Sequence, residues 1–509
     1  MKNNIVKAVG LVTIITVIGK LLGFGRETVI AAFYGASAQS DVYFVAAVIP
    51  TLLFAAISMA ITTGLVPIYI EERNKDKAEA SRMMSALSTF LFVLSVVFIA
   101  ICMLFAPWLT KLFAPGFTGA QLDLAVDLTL IMLPSFCFFV LSAIATGVLN
   151  ANKQFLAPAM VTIPGNLIII LFTVISTATL GIYGVAIGTL LGAVFQFLIQ
   201  YPQFRQHKIG LNFSFKKYMG KFKTSFIILL PVIVTSITAQ INEIINRVVA
   251  SGLPEGSISA LNYSNKLMYL PLSVIAMSII TVLYPSIVQA VKDRKDDEYS
   301  SLVLNGMRTI VYICIPIVLV MTVSGRTVVE IAFQRGAFDA HDTDKTTYAL
   351  IFYMIGLIFV ALREYFIRCV LALNNSKILM VSSTTAVAIN ITLSFVLSKF
   401  LSHGGVALGF TISMLYQAIV LGLFIKKNTS FEASKVRFTL VEIGKMAIMT
   451  VIMIFALGYI ETLLTGFNKY VHLTLIVVAT GIFYVILSYL FKIKAFQYVL
   501  GFIKKKKKK

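Results

Sequence analysis

Charged residues interrupt stretches of this chain that are otherwise apolar enough to cross a lipid bilayer. Lys20, Arg26 and Glu27 fall in the first such stretch, Glu243 and Arg247 in a later one, and Lys266 in the next. A charge at bilayer depth costs roughly 2.5–3.5 kcal/mol or more, so it is kept where it faces a water-filled cavity or a partner. Basic groups outnumber acidic ones in this set, which suits an anionic cargo. Lys20, Arg26 and Lys266 are therefore the candidate substrate-binding residues. Set on facing helices, they would offer charge-assisted hydrogen bonds to a diphosphate from opposite sides. Lys20 lies about 23 Å into its helix at 1.5 Å per residue, too deep to snorkel easily to the near surface.

The acidic residues admit two readings each. Lys20 and Glu27 are seven residues apart and share a helix face. Glu27 either holds a basic partner during gating or forms a structural ion pair with Arg26. Asp41 opens the second helix, as its N-terminal cap or as an outer-side partner of Arg26. Glu243 and Arg247 stand in the i,i+4 order that favours an internal pair. Alternatively, Glu243 joins Asn390 and Ser394, one turn apart on a later helix, in an oxygen-lined site for a coupling Na+ or H+. Arg363, Glu364 and Arg368 line a cavity mouth or snorkel. No Walker A loop, His-rich metal signature or nucleophile–base pair is present. The expectation is a transporter that is no enzyme and carries no resident cofactor.

These residues require many helices to position them. Of 509 residues, 58% are hydrophobic and 13% charged, and apolar runs recur along the whole length. Fourteen spans are expected. With the N-terminus in the cytoplasm, most of the 43 Lys/Arg fall in cytoplasmic loops and tails. This places both termini inside and explains the net charge of +21 without nucleic acid. The lysine run Lys504 to Lys509 reads as a solvated tail near lipid headgroups. The first helix reads as uncleaved. Cys102, Cys137, Cys314 and Cys369 read as small core residues.

An internal repeat organises the spans. Leu149-Asn150-Ala151-Asn152-Lys153 matches Leu373-Asn374-Asn375-Ser376-Lys377, and Asn166 and Asn390 each follow their lysine by thirteen residues. Gly184-Val185-Ala186-Ile187-Gly188 matches Gly405-Val406-Ala407-Leu408-Gly409, and Phe113-Ala114-Pro115-Gly116 recurs loosely as Phe333-Gln334-Arg335-Gly336. The expected fold is an all-α polytopic membrane protein with two pseudo-symmetric six-helix lobes (1–224 and 225–440) and two added helices with a basic tail (441–509). Six being even, both lobes share one orientation and can rock about a central cavity, as alternating access requires.

The run Leu21-Leu22-Gly23-Phe24-Gly25-Arg26-Glu27, with Phe33-Tyr34-Gly35-Ala36, Ser40-Asp41-Val42-Tyr43-Phe44-Val45-Ala46 and Ile49-Pro50-Thr51-Leu52-Leu53, resembles the MurJ (MviN) family of the multidrug/oligosaccharidyl-lipid/polysaccharide exporter superfamily. Asn262-Tyr263-Ser264-Asn265-Lys266-Leu267-Met268 resembles it too. The resemblance spans essentially the whole chain. It implies a fourteen-helix flippase in the bacterial cytoplasmic membrane that moves lipid II, the undecaprenyl-diphosphate-linked peptidoglycan precursor, from the inner to the outer leaflet. A cationic cavity, a sodium site in the C-terminal lobe of some members, and cell-wall synthesis partners are part of what it implies. Arg26 matches an essential family arginine and Asp41 a functional aspartate. Lys20 and Lys266 stand where the family often has arginine, which grips phosphate bidentately as lysine cannot. Phe54 and Ala55 replace two family arginines, and a family acidic residue is missing near Met59. The alternative cargo is therefore a lipid-linked exopolysaccharide, capsule or teichoic-type repeat unit. A multidrug antiporter of the same superfamily predicts twelve helices and an acidic or neutral cavity, and a non-transporting scaffold would tolerate loss of Lys20 and Arg26.

Overall fold

The computed structural model describes residues 2–61, 66–220, 240–242, 244–464 and 466–497, with the side chains of 2–9, 52–57, 59, 60, 274–278 and 281 left aside. All regular structure among these residues is helical. Nine helical stretches among them are long and apolar enough to cross a membrane, and one of these, Ser376–Lys427, is 52 residues long. A left-handed residue, Ser402 (φ 49°), breaks that stretch into two helices.

The chain packs into two compact units. Unit 1 comprises Met1–Ser259 and Arg335–Asp339; unit 2 comprises Ala260–Gln334 and Ala340–Lys509. Unit 1 runs through α1 (Lys2–Tyr34), α2 (Ala38–Ala60), α3 (Val66–Lys75), α4 (Lys77–Leu104), α5 (Ala106–Phe113), α6 (Gly119–Met132), α7 (Ser135–Ala151), α8 (Leu156–Met160), α9 (Thr162–Leu180), α10 (Ile182–Leu198) and α11 (Tyr201–Arg205). A further helical stretch covers 244–250. Next comes α12 (Ser257–Lys292), whose first turn belongs to unit 1. Unit 2 continues with α13 (Asp296–Val323), α14 (Gly325–Phe333), α15 (Ala340–Ala372), α16 (Ser376–Lys427), α17 (Ala433–Leu463) and α18 (Lys469–Leu490).

Unit 1 buries Ile49, Met84, Leu87, Phe136, Val140 and Ile144 against one another. Unit 2 buries Tyr312, Ile315, Met446, Met449 and Tyr484. There the Tyr484 hydroxyl donates to the Tyr312 carbonyl at 2.5 Å, and the Tyr312 and Ser488 hydroxyls lie 2.9 Å apart. Polar side chains inside the helices satisfy themselves locally. Ser88, Thr89 and Thr173 each donate to the carbonyl four residues earlier at 2.7–2.8 Å, which a lipid-facing protein needs because no water is present to accept.

The repeat is written into the backbone. Left-handed residues recur 221 residues apart: Gly35 and Gly256, Lys153 and Asn374, Gly181 and Ser402. Pro50 and Pro271, each inside its helix, keep the same spacing. The turns at Lys153 and Asn374 also share a closure, Gln154 N–H to the Leu149 carbonyl and Asn375 N–H to the Val370 carbonyl. The register therefore differs by almost one helical turn from the 224 that pairs Lys153 with Lys377 and Asn166 with Asn390. Side-chain identity was misleading because what recurs is the residue that leaves the helix, and Lys and Asn both fill that place. Asn166 and Asn390 are not equivalent positions.

A polar corner closes one end of unit 1. Arg73 donates to the Ala151 carbonyl (2.9 Å) and to Asn152 Oδ1 (2.6 Å), and His207 Nε2 lies 3.0 Å from Gln154 Oε1, the acceptor. Burial, then the charge of Arg73, hold His207 below the usual histidine range.

Candidate functional site

The first helix is oriented by its glycines. A Cβ on Gly19 would lie 2.2 Å from Thr162 Oγ1 of α9, so a larger residue there would have to turn the Thr162 side chain aside. Asn166 Nδ2 donates to the Thr162 carbonyl (2.8 Å) and reaches the Gly19 carbonyl (3.4 Å). With α1 so pinned, Lys20 is exposed, while Glu27, seven residues along, is 2% exposed. The stripe that carries both thus passes from an open to a packed environment.

Arg26 and Glu27 form an ion pair, Nη2 to Oε1 at 2.5 Å, with 26% of the arginine side chain exposed. The buried Nε of Arg26 has no hydrogen-bond partner. The guanidinium is therefore neutralised from one edge and retains a donor on the other. Among the described residues no carboxylate pairs with Lys20 or with the half-buried Lys266. Lys20 and Arg26 belong to unit 1 and Lys266 to unit 2.

Asp41 does cap a helix, one far away in sequence. It is 3% exposed and accepts from the backbone N–H groups of Gly256 (2.7 Å) and Ser259 (2.7 Å) and from the Ser259 hydroxyl (2.5 Å). These donors are the otherwise unsatisfied first-turn amides of α12, where a carboxylate also meets the positive end of the helix dipole.

Two glycines complete this end of unit 1, and sequence reasoning saw them only as a repeat. A Cβ on Gly116 would fall 2.1 Å from the Ser251 carbonyl oxygen, and its N–H donates to Ser251 Oγ at 3.0 Å. A Cβ on Gly336 would fall 2.2 Å from the Ala32 carbonyl oxygen, to which Ala337 N–H donates at 2.7 Å. The exchange is reciprocal. The Gly116 loop of the first repeat sits beyond the 244–250 helix, and the Gly336 loop of the second sits on the last turns of α1. These contacts carry residues 335–339 into unit 1.

The remaining candidates are scattered. Asn390 and Ser394 are both fully buried in α16, with the Ser394 hydroxyl 3.1 Å from Asn390 Oδ1. Gly409 leaves room beside them, since a Cβ there would meet Ser394 N and Oγ at 2.9 Å. Glu243 lies outside the described residues, as do the side chains of Phe54, Ala55 and Met59 and the tail from Lys504 to Lys509. Arg247 is half-buried in unit 1, whereas Asn390 and Ser394 belong to unit 2. Arg363 Nε donates to Gln417 Oε1 and its Nη1 pairs with Glu364, both at 2.5 Å. Tying α15 to α16 in this way makes Arg363 a packing element. Sequence reasoning missed Arg308 and Glu442, a pair between α13 and α17 at 3.2 Å. No spacing signal links residues 134 positions apart.

Bundled apolar helices, a backbone pattern that repeats along the chain and cations set in apolar stretches point to a class, a multi-pass membrane protein of the kind that moves solutes or lipids. Comparison with known proteins makes this specific. The model of a family described as "Lipid II flippase MurJ" matches residues 30–490, and the chain belongs to that family. The lipid II flippase MurJ of Burkholderia cenocepacia is 30% identical, covering 85% of this chain and 86% of its own. A probable lipid II flippase MurJ of Buchnera aphidicola is 27% identical over 97% and 98%. A solved structure described as "Lipid II flippase MurJ, inward closed conformation" superposes with a TM-score of 0.81 at 26% identity, covering 94% of this chain and 98% of that one. An inward-facing multidrug transporter of the MOP superfamily shares the fold at a TM-score of 0.67 and 15% identity, covering 81% and 96%.

Proposed function

We propose that this protein is a flippase that carries lipid II from the inner to the outer leaflet of the bacterial cytoplasmic membrane. The observation that carries the proposal is a pair of lysines in apolar helices, Lys20 and Lys266, with no carboxylate paired to them among the described residues, together with the unpaired Nε of Arg26, in a chain of this family. Fourteen spans form two lobes, 1–224 and 225–440, followed by 441–509, with both termini cytoplasmic. Lys20, Arg26 and Lys266 are the groups that bind the diphosphate. The polyprenyl chain stays in lipid beside the last two helices.

The Asp41 cap and the Gly116 and Gly336 contacts, all within unit 1, are assigned to an outer gate. Opening outward releases the first-turn amides of α12 from Asp41 and separates both glycine contacts. Glu27 holds Arg26 in place until a phosphate competes for it, and Arg247 pairs with Glu243 as the lobes rock. A membrane potential or a Na+ or H+ gradient resets the cycle. For Na+, the oxygen donors are Asn390, Ser394 and Glu243. Their chemistry fits a hard cation, and in this structure the Ser394 hydroxyl donates to Asn390 Oδ1. Cell-wall polymerising enzymes take the delivered product.

The replacement of two family arginines by Phe54 and Ala55 favours a second reading, in which the cargo is a lipid-linked repeat unit of another surface polymer. Leaflet-resolved lipid II measured in depleted cells, complemented by wild type or by Lys20→Ala/Arg26→Ala, tests the proposal. Inner-leaflet accumulation relieved only by wild type supports it. Unimpaired lipid II export on depletion overturns it and points to the second cargo.

A further inference from the structure

A recess of about 520 Å³ opens in unit 2 where α13 and α17 begin and the chain leaves α18. Its wall carries Arg308, Lys435 and Lys494, together with Ser301, Ser434 and Phe438, and no carboxylate. Phe438 is a platform for two of the cations. The Arg308 guanidinium lies 5.0 Å from its ring centroid and the Lys494 ammonium 4.7 Å. Behind the wall, Glu442 is 2% exposed and fully engaged. One oxygen takes Arg308 Nη1 at 3.2 Å and the other takes the backbone N–H of Lys494 at 2.5 Å. It fixes Arg308 and the end of α18 without presenting charge to the recess. Lys435 also meets Glu432 at 3.1 Å and Asp297 at 3.9 Å, but these carboxylates are 55% and 86% exposed and water screens them. Among the described residues no carboxylate pairs with Lys494.

We propose that this recess binds the phosphate headgroup of an anionic phospholipid, at a site distinct from the cargo path. Three cations, the Ser301 hydroxyl and a flat aromatic floor match a phosphodiester, while the Ser434 hydroxyl donates to Glu432 at the rim. The position selects a lipid over a soluble phosphate. The recess lies at the polar ends of three apolar helices, and the flank of α17 directly beyond it exposes Leu440 (62%), Val441 (50%) and Ile448 (57%), where acyl chains can lie. The orientation proposed above puts it in the cytoplasmic leaflet, where anionic lipid attracts basic pockets between membrane helices. A lipid seated there bridges α13, α17 and the segment after α18, joining the last two helices to the rest of unit 2.

The test is binding by the full chain in detergent, titrated with short-chain phosphatidylglycerol, short-chain phosphatidylcholine or inorganic phosphate and read by native mass spectrometry. Wild type should retain phosphatidylglycerol in preference to phosphatidylcholine, and Lys435→Gln/Lys494→Gln should weaken it about tenfold or more, each lysine contributing about one interaction with anionic lipid. Neither lysine is buried, so the variant should unfold at the wild-type temperature; Arg308→Lys, which keeps both the charge and the pair with Glu442, should retain most of the binding. Equal binding of phosphatidylglycerol by wild type and the double variant overturns the site. Displacement of the lipid by equimolar inorganic phosphate overturns the lipid assignment. Because the readout is lipid retention, it is independent of whether lipid II is the cargo.

Discussion

Two arginine–glutamate pairs in this molecule look alike and do opposite things. Arg26 and Glu27 are neighbours on one helix, so their 2.5 Å contact joins nothing that the chain does not already join. Its effect is electrostatic. It keeps a cation in an apolar helix at reduced cost and leaves the buried Nε unpaired. Arg308 and Glu442 sit on different helices, and both carboxylate oxygens are used, one by the guanidinium and one by the backbone of Lys494. That pair clamps three segments. An ion pair between sequence neighbours is suited to be broken by a ligand, whereas one between distant helices is suited to hold. Arg363 shows the intermediate case, with its neighbour Glu364 on one side and Gln417 of α16 on the other.

The largest effect should come from Arg26→Gln/Glu27→Gln, which removes the cation together with its buried carboxylate partner and is expected to lower lipid II translocation about 10- to 100-fold by removing charge-assisted bonds, with little change in thermal unfolding because no charge is left stranded. Comparable destabilisation by this variant and by Glu442→Ala would erase the distinction between the two pairs. Glu442→Ala strands a nearly buried guanidinium and is expected to cost about 3 kcal/mol, read as a marked fall in unfolding temperature in detergent. Glycine conformation alone costs about 1–2 kcal/mol when an alanine must adopt a left-handed φ. Gly119→Ala (φ +53°, open surroundings) should show only that cost, and Gly336→Ala (φ +59°, against Ala32) should show distinctly more. Equal losses at the two positions would mean that the Gly336 contact contributes nothing. Asp41→Asn keeps an acceptor at the first turn of α12 but removes the charge, worth about 1 kcal/mol in the same assay.

The smallest effect is pH dependence at the Arg73–His207 corner. The folded state prefers neutral His207, so its pKa lies below the unfolded value of about 6.5. The stability it contributes is present above that value and is lost as pH falls through the folded pKa. Hydrogen-exchange protection of residues 203–210, corrected for the intrinsic rate at each pH, should fall on acidification in wild type, and His207→Gln should abolish that response.

Much of this protein was already legible in its amino-acid order because membrane chemistry is local. Runs of apolar residues and the Arg26–Glu27 adjacency need no tertiary information, since each depends on composition or on helical spacing. The glycines of α1 and the repeated Phe113 and Phe333 motifs were visible too, but only as patterns. Tertiary structure decided what they touch. Asp41 finds its partners 215 residues away at Gly256, Gly116 and Gly336 exchange contacts across the repeat, and Arg308 meets Glu442 on another helix. It also decided the register of the repeat, which follows the left-handed residues that end helices and tolerates different side chains there. A hydrogen bond between distant segments leaves no spacing in the sequence, because its geometry exists only once the helices between them have packed.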